Sequence, residues 1–192
     1  MNEYSTVLST LETLTLDELE LLAEEVQNRI AKLRHSQKAL IKIPGIDLRV
    51  TDDQVLVTSP YLPEFVTGAR RLNGKFVGDV WKFDRRDEQT VRSLMVETYG
   101  TDGSPVEVGD VEMDIYASGN GSEKQLFAFG REIANRPARD ERVRLGNNVV
   151  IRTGDFGPSA GSRANPRLLQ NGVVTVLVRD VPQILIDLDG TE

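Results

Sequence analysis

The sequence predicts an α+β protein with an N-terminal coiled-coil helix, a small β-hairpin/α module and a C-terminal, mostly antiparallel β module. Three observations carry this. Apolar residues recur at alternating steps of three and four between residues 15 and 40. Over 41–104, short alternating stretches paired around turn residues are each followed by helical spacing. From 105 to 192 the alternation continues in glycine-punctuated runs, with no long amphipathic helix between them. The expected domains are therefore 1–40, 41–104 and 105–192.

In the first domain, Thr15 and Glu18 form a capping-box pattern, and the acids Asp17 and Glu18 suit the positive end of a helix. The following heptads place Leu16, Ala23, Ile30 and Gln37 at position a, and Leu19, Val26, Leu33 and Leu40 at position d. A homodimer through Leu16, Leu19, Ala23, Val26, Ile30 and Leu33 is expected, with Gln37 setting register or marking where the pairing frays. Leu21 and Leu22 widen the apolar face, so packing on the protein's own body is the alternative. The single histidine, His35, falls at the outer position f. An exposed helix face supplies neither the nucleophile nor the orienting carboxylate that a catalytic histidine needs.

Pro44-Gly45 breaks the helical run. Residues 46–50 and 55–57 alternate around Asp52-Asp53, which reads as a β-hairpin. A helix is expected to open within 59–63 and run through about Leu72, burying Leu62, Phe65, Val66, Ala69 and Leu72 on one face and ending at Asn73-Gly74. A second hairpin then joins 75–77 to 80–83 through Gly78-Asp79. Asp84 and Asp87 are candidate caps for a helix holding Val91, Leu94, Met95 and Val96, stopped at Gly100.

The run Pro60-Tyr61, a short helix, Gly74-Lys75-Phe76, Trp81-Lys82-Phe83-Asp84 and a closing helix resembles the small HARP-like accessory module of annealing helicases. The resemblance covers residues ~55–97, roughly 40 residues. In that family the module accompanies a motor acting on forked and single-stranded DNA, so the resemblance implies a DNA-contacting surface. The motor itself does not carry over, because the chain has no Walker A sequence. Residues 99–103 further resemble a junction in uncharacterised phage and plasmid proteins.

Charge points the same way. The chain carries 23 bases against 30 acids, a net −7, yet the sign is local. Segment 68–92 holds Arg70, Arg71, Lys75, Lys82, Arg85, Arg86 and Arg92 against four acids, and segment 131–167 holds eight arginines against four acids. Such patches can meet phosphates in an acidic protein, because fields decay over about 8 Å at physiological salt. Aromatics interleaved with cations over 61–99 suit single-strand binding, in which bases stack on rings. The competing reading makes Trp81 and Phe83 core residues, and it is the one adopted here, with the outward cations as contacts.

In the last domain, 106–116, 126–129, 149–151 and 173–178 read as strands, and 184–188 as a closing strand after Pro182; a small sandwich or barrel is expected. Two loops are singled out. Residues 131–144 bring together Arg131, Arg136, Arg139, Arg142 and Arg144. Residues 154–166 form a Gly/Ser stretch with Arg163, read as a mobile surface loop that could also cradle phosphate or dock a partner. Arg139, Arg142 and Arg163 join the candidate contacts. Glu112 and Asp114 share a strand face, but no spacing marks a catalytic pair.

The absence of cysteine excludes a disulfide framework, a thiol nucleophile and a zinc ribbon or finger, and one histidine excludes a His-rich metal site. No cofactor motif is found. The first 25 residues lack a basic start followed by an apolar run, and no segment approaches ~20 apolar residues. A cytoplasmic protein without membrane contact is therefore expected. The function expected is a non-enzymatic dimeric accessory protein that binds nucleic acid or a nucleoprotein complex of a mobile element. The alternative is a protein-binding inhibitor or adaptor, such as a phage or plasmid counter-defence (anti-CRISPR-like) protein.

Overall fold

The computed structural model describes residues 14–36 and 40–189, which belong to two compact units divided after residue 39. In the first unit, helix α1 (Leu16–Ser36) begins where the capping box predicts. The Thr15 backbone N–H and hydroxyl donate to Glu18 Oε2 at 2.9 and 2.8 Å, and these bonds hold the Glu18 carboxyl below its usual range. Leu16, Leu19, Ala23 and Val26 are exposed along one stripe, and Leu21 and Leu22 are exposed beside it. Ile30, Leu33 and His35 lie on the helical backbone, but their side chains are outside the described residues, as is all of Gln37. The chain is no longer helical at Leu40. Leu40 is thus not the last d position of the helix as expected.

The second unit opens with the two expected hairpins and two helices: β1 (Asp47–Val50), β2 (Gln54–Thr58), α2 (Pro63–Arg71), β3 (Lys75–Val77), β4 (Val80–Asp84) and α3 (Glu88–Tyr99). Local chemistry fixes each boundary. Pro63, which has no N–H to leave unpaired, starts α2. Gly78 and Asp79 both sit at φ +63°, the conformation of a two-residue hairpin turn whose twist matches its strands. Gly100, at φ +71°, caps α3 by donating its N–H to the Val96 carbonyl.

The four strands pair in the order β1-β2-β4-β3, all antiparallel. Val55, Val57, Trp81 and Phe83 face α2 and α3 and bury themselves against Phe65, Ala69, Val91, Met95 and Tyr99. Trp81 and Phe83 are therefore core, as read from the sequence. Removing a buried side chain of this size costs about 3–5 kcal/mol, which accounts for an apolar residue at each inward position.

The rest of the unit contains two three-stranded sheets. One orders β5 (Val108–Tyr116), β10 (Val173–Pro182) and β9 (Val149–Thr153), and the other β6 (Gln125–Ala128), β7 (Arg131–Asn135) and β8 (Arg144–Leu145). Ile115, Val174, Val176 and Val178 of the first share a core with Ile133 and Ala134 of the second.

Two expectations fail here. Residues Gln183–Asp189 form helix α4, where a closing strand is predicted, with Leu185 buried and Ile184 and Leu188 exposed. A short apolar run fits either element by pattern, and this one turns Leu185 and, in part, Ile186 onto the core. Segment 131–144 is also not one loop, because β7 and β8 occupy its ends. Gly130 of the β6–β7 turn lies against α3, where a Cβ would meet the Thr98 carbonyl oxygen at 2.6 Å. That close approach ties the β-rich part to the α+β part.

Candidate nucleic-acid interface

The face of the four-stranded sheet away from α2 and α3 carries exposed Arg49 and Lys75 and half-buried Leu56 and Lys82. Its cross-strand register places Arg49 opposite Leu56, Leu56 opposite Lys82, and Lys82 opposite Lys75. Three cations and one leucine therefore form a single row across all four strands. At roughly 4.8 Å per strand the row spans about 14 Å, comparable with the ~12 Å width of a DNA major groove.

Lys75 and Lys82 are directly opposed, an arrangement that costs stability. Neither has a carboxylate partner among the described residues. Arg49 contacts Asp47 at 2.8 Å, but the same carboxylate also holds Lys42 at 2.9 Å. Two cations on one acid leave the end of the row positive, and their hydrogen bonds hold the Asp47 carboxyl below its usual range. Arg70 and Arg71 occupy the last turn of α2, just before β3; both are exposed and suit the negative end of that helix.

The remaining cations of this segment are spent locally. Arg86 grips Asp84 through Nε at 3.0 Å and a terminal nitrogen at 2.9 Å, while its backbone N–H donates to the same carboxylate. Together these pull the Asp84 carboxyl down to about 2. Arg85 pairs with Glu88, and Arg92 lies between Glu88 at 2.9 Å and Asp102 at 2.5 Å. Arg85 and Arg86 are at the surface, but each already carries a counter-charge.

The second basic segment behaves differently. Arg136 is fully buried, and its guanidinium donates to the carbonyl oxygens of Glu141, Phe156, Gly157, Leu168 and, through Nε, Arg167, at 2.5–3.1 Å. Arg131 donates to the carbonyls of Arg179 and Asp180. Arg136 thereby ties the arginine segment to the Gly/Ser segment, and Phe156 and Ala160 bury their side chains beside it. Residues 154–166 lie outside every named helix and strand, as expected of a loop, with the Phe156 and Gly157 carbonyls accepting from Arg136. The backbone N–H groups of Gly161 and Ser162, two of the amides a phosphate cradle would use, donate to Gln170 Oε1 and the Asn165 carbonyl. Arg139 sits 3.5 Å from Asp140 and Arg144 3.1 Å from Glu141, while Arg142 and Arg163 are exposed.

Two rings of the 61–99 segment remain open. Tyr61 packs edge-on against Phe127, and Phe76 lies over Trp81 at the outer strand β3; both are more than half exposed. Neither is on the basic row. The carboxylates of β5 are also engaged: Glu112 pairs with Arg152 at 3.2 Å, and Asp114 accepts from Thr175 and Tyr116. A cleft of about 820 Å³ between the two parts of the unit is lined by Tyr99, Arg131, Glu132 and Asn148 among others. Those groups are tied to protein partners, Glu132 to Gln125 and Asn148 to Asp180. Tyr99 donates to the Pro60 carbonyl at 2.8 Å, and its burial pushes the hydroxyl up to about 12.

The row brings together Lys75 and Lys82 from the sequence-predicted set and adds Arg49, which sequence reasoning missed. The signal was available only through strand order: Arg49 lies 26 residues before Lys75, and the β2–β4 pairing connects them. Among the described residues no group of three His, Cys, Asp or Glu side chains could hold a metal ion, and no helix is long and apolar enough to cross a membrane. Compared with known proteins, the chain matches no family model, no curated protein and no solved structure.

Proposed function

We propose that the protein is a non-enzymatic, dimeric accessory factor that binds the phosphate backbone of nucleic acid across the open sheet face, in the setting of a mobile element such as a phage or plasmid. One observation carries this reading: the Arg49–Leu56–Lys82–Lys75 row, in which two lysines face each other with no carboxylate partner among the described residues. A like-charge pair that lowers stability is retained where something outside the fold neutralises it, and a line of phosphates does so. The HARP-like resemblance of residues ~55–97 points to the same class of ligand. With Trp81 and Phe83 buried and the row free of aromatic rings, the contact is with backbone and not with stacked bases. A dimer through α1 presents the row twice and raises avidity.

Fluorescence anisotropy with labelled duplex, forked and single-stranded DNA at low salt tests the proposal. Binding to duplex or forked DNA, weakened at least tenfold by Lys75→Glu/Lys82→Glu, is the expected result. Absence of binding to all three contradicts it.

A different observation favours a second reading, an adaptor or inhibitor that docks on a protein. Phe76 and Val77 expose apolar surface on β3, a sheet edge with an unpaired side. Co-purification of a stable protein partner that is lost on Phe76→Ser supports it.

A further inference from the structure

We infer that α1 pairs with α1 of a second copy of this chain in antiparallel orientation. The inference deepens the dimer reading above and rests on it. The capped helix runs 21 residues from Leu16 to Ser36 and leaves Leu16, Leu19, Ala23 and Val26 exposed on one stripe.

The charge of the helix is polarised along its length. Asp17, Glu18, Glu20, Glu24 and Glu25 fall in its first half, and Arg29, Lys32 and Arg34 in its second. A parallel pair sets acid beside acid and base beside base, whereas an antiparallel pair sets each acidic half beside a basic half. Positions flanking the seam repeat the argument. In a parallel pair the flanking contact runs from position g to position e of the next heptad on the other copy. Arg29 at g would then meet Arg34 at e twice across the two-fold axis, and no oppositely charged contact of this kind offsets it. The antiparallel pair separates these arginines and also opposes the two helix dipoles favourably.

Core geometry selects the register. Antiparallel seams bring a positions against d positions, and one alignment uses all six apolar residues. It places Leu16 on Leu33 of the second copy, Leu19 on Ile30, and Ala23 on Val26, with each contact repeated by symmetry. Small Ala23 then faces the larger, β-branched Val26, so no layer joins two small residues. In a parallel pair Ala23 meets Ala23 and leaves a gap. The two-fold axis of the antiparallel pair passes between Glu24 and Glu25, so the two Ser36 residues lie about 35 Å apart at 1.5 Å per residue. A parallel pair holds them about 10 Å apart, the interaxial distance of packed helices.

The chain has no cysteine, so Ser36→Cys in the full-length protein is a unique attachment point for a spin label. Sedimentation together with pulsed-dipolar distance measurement tests the pairing. A dimeric mass with a distance near 35 Å is expected. A dimeric mass with a distance near 10 Å overturns the orientation and leaves the dimer standing. A monomeric mass at tens of micromolar overturns both. As a second variant away from the seam, Arg29→Glu should weaken dimerisation several-fold, because it places an acid against the acidic half of the second copy. A parallel pair predicts the opposite sign, since the Arg29–Arg34 repulsion becomes an attraction. Tighter dimerisation on Arg29→Glu therefore also overturns the proposal.

Discussion

Segments 68–92 and 131–167 are both arginine- and lysine-rich on an acidic chain, and they use their cations in opposite ways. In the first, hairpin registers carry Lys75 and Lys82 onto the sheet face away from α2 and α3. In the second, Arg136 turns inward and donates to five backbone carbonyls, of which those of Phe156 and Leu168 are met in buried surroundings. A guanidinium suits that task because its donors form a rigid planar fork and it stays charged at any pH the fold survives. Composition alone gave the two segments the same reading. Position relative to strand registers separates them.

The largest expected effect breaks the second half of this contrast. Arg136→Ala removes the donor for five carbonyls at once and should cost about 3–5 kcal/mol, read as a shifted denaturation midpoint in urea. A loss below about 1 kcal/mol would return Arg136 to the surface-cation class. The Arg163→Ala change in the same segment should stay within about 0.5 kcal/mol.

A smaller effect tests the joint between the two regions, where Gly130 approaches Tyr99. Burial raises the Tyr99 hydroxyl from its ordinary value near 10 to about 12, so the folded state favours the neutral form. That contribution is complete below pH 10 and is lost as pH rises from 10 towards 12. Two units correspond to about 2–3 kcal/mol. Alkaline denaturation of the wild type should show this loss, and Tyr99→Phe should remove it. The variant should itself lose about 1 kcal/mol at neutral pH for the missing bond to Pro60.

The smallest effect sharpens the first half. Lys75→Glu turns an opposed like-charge pair into an attractive one, so stability should rise by a few tenths of a kcal/mol while nucleic-acid binding falls. Changes of opposite sign from one substitution separate a binding role from a structural one.

Most of residues 41–100 was legible because turn chemistry marks every boundary: Asp52-Asp53, Asn73-Gly74, Gly78-Asp79 and Gly100 each fall where the chain reverses or stops. The β-rich part was less legible. Strand β7 carries Arg131 and Glu132 at its start and so reads as a charged loop, and α4 is a run of Ile and Leu too short to show its period. Lys75, Lys82, Arg70 and Arg71 were visible as candidates from charge. The row that joins Lys75 and Lys82 was not, because it depends on β2 pairing with β4 across an intervening helix and on Arg49, an isolated base in the sequence. The buried state of Arg136 has no local signal either. It follows from where the chain returns some twenty to thirty residues later.

The most direct test of the contrast is the salt dependence of duplex DNA binding, measured for the wild type, Lys75→Glu/Lys82→Glu and Arg139→Ala/Arg142→Ala/Arg163→Ala. Each phosphate contact contributes about 0.9 to the slope of log affinity against log salt. The account predicts a slope flatter by about 2 for the sheet-face variant, and a slope within about 1 of the wild type for the second. Equal slopes for the wild type and the sheet-face variant, with a flatter one for the arginine variant, would contradict it.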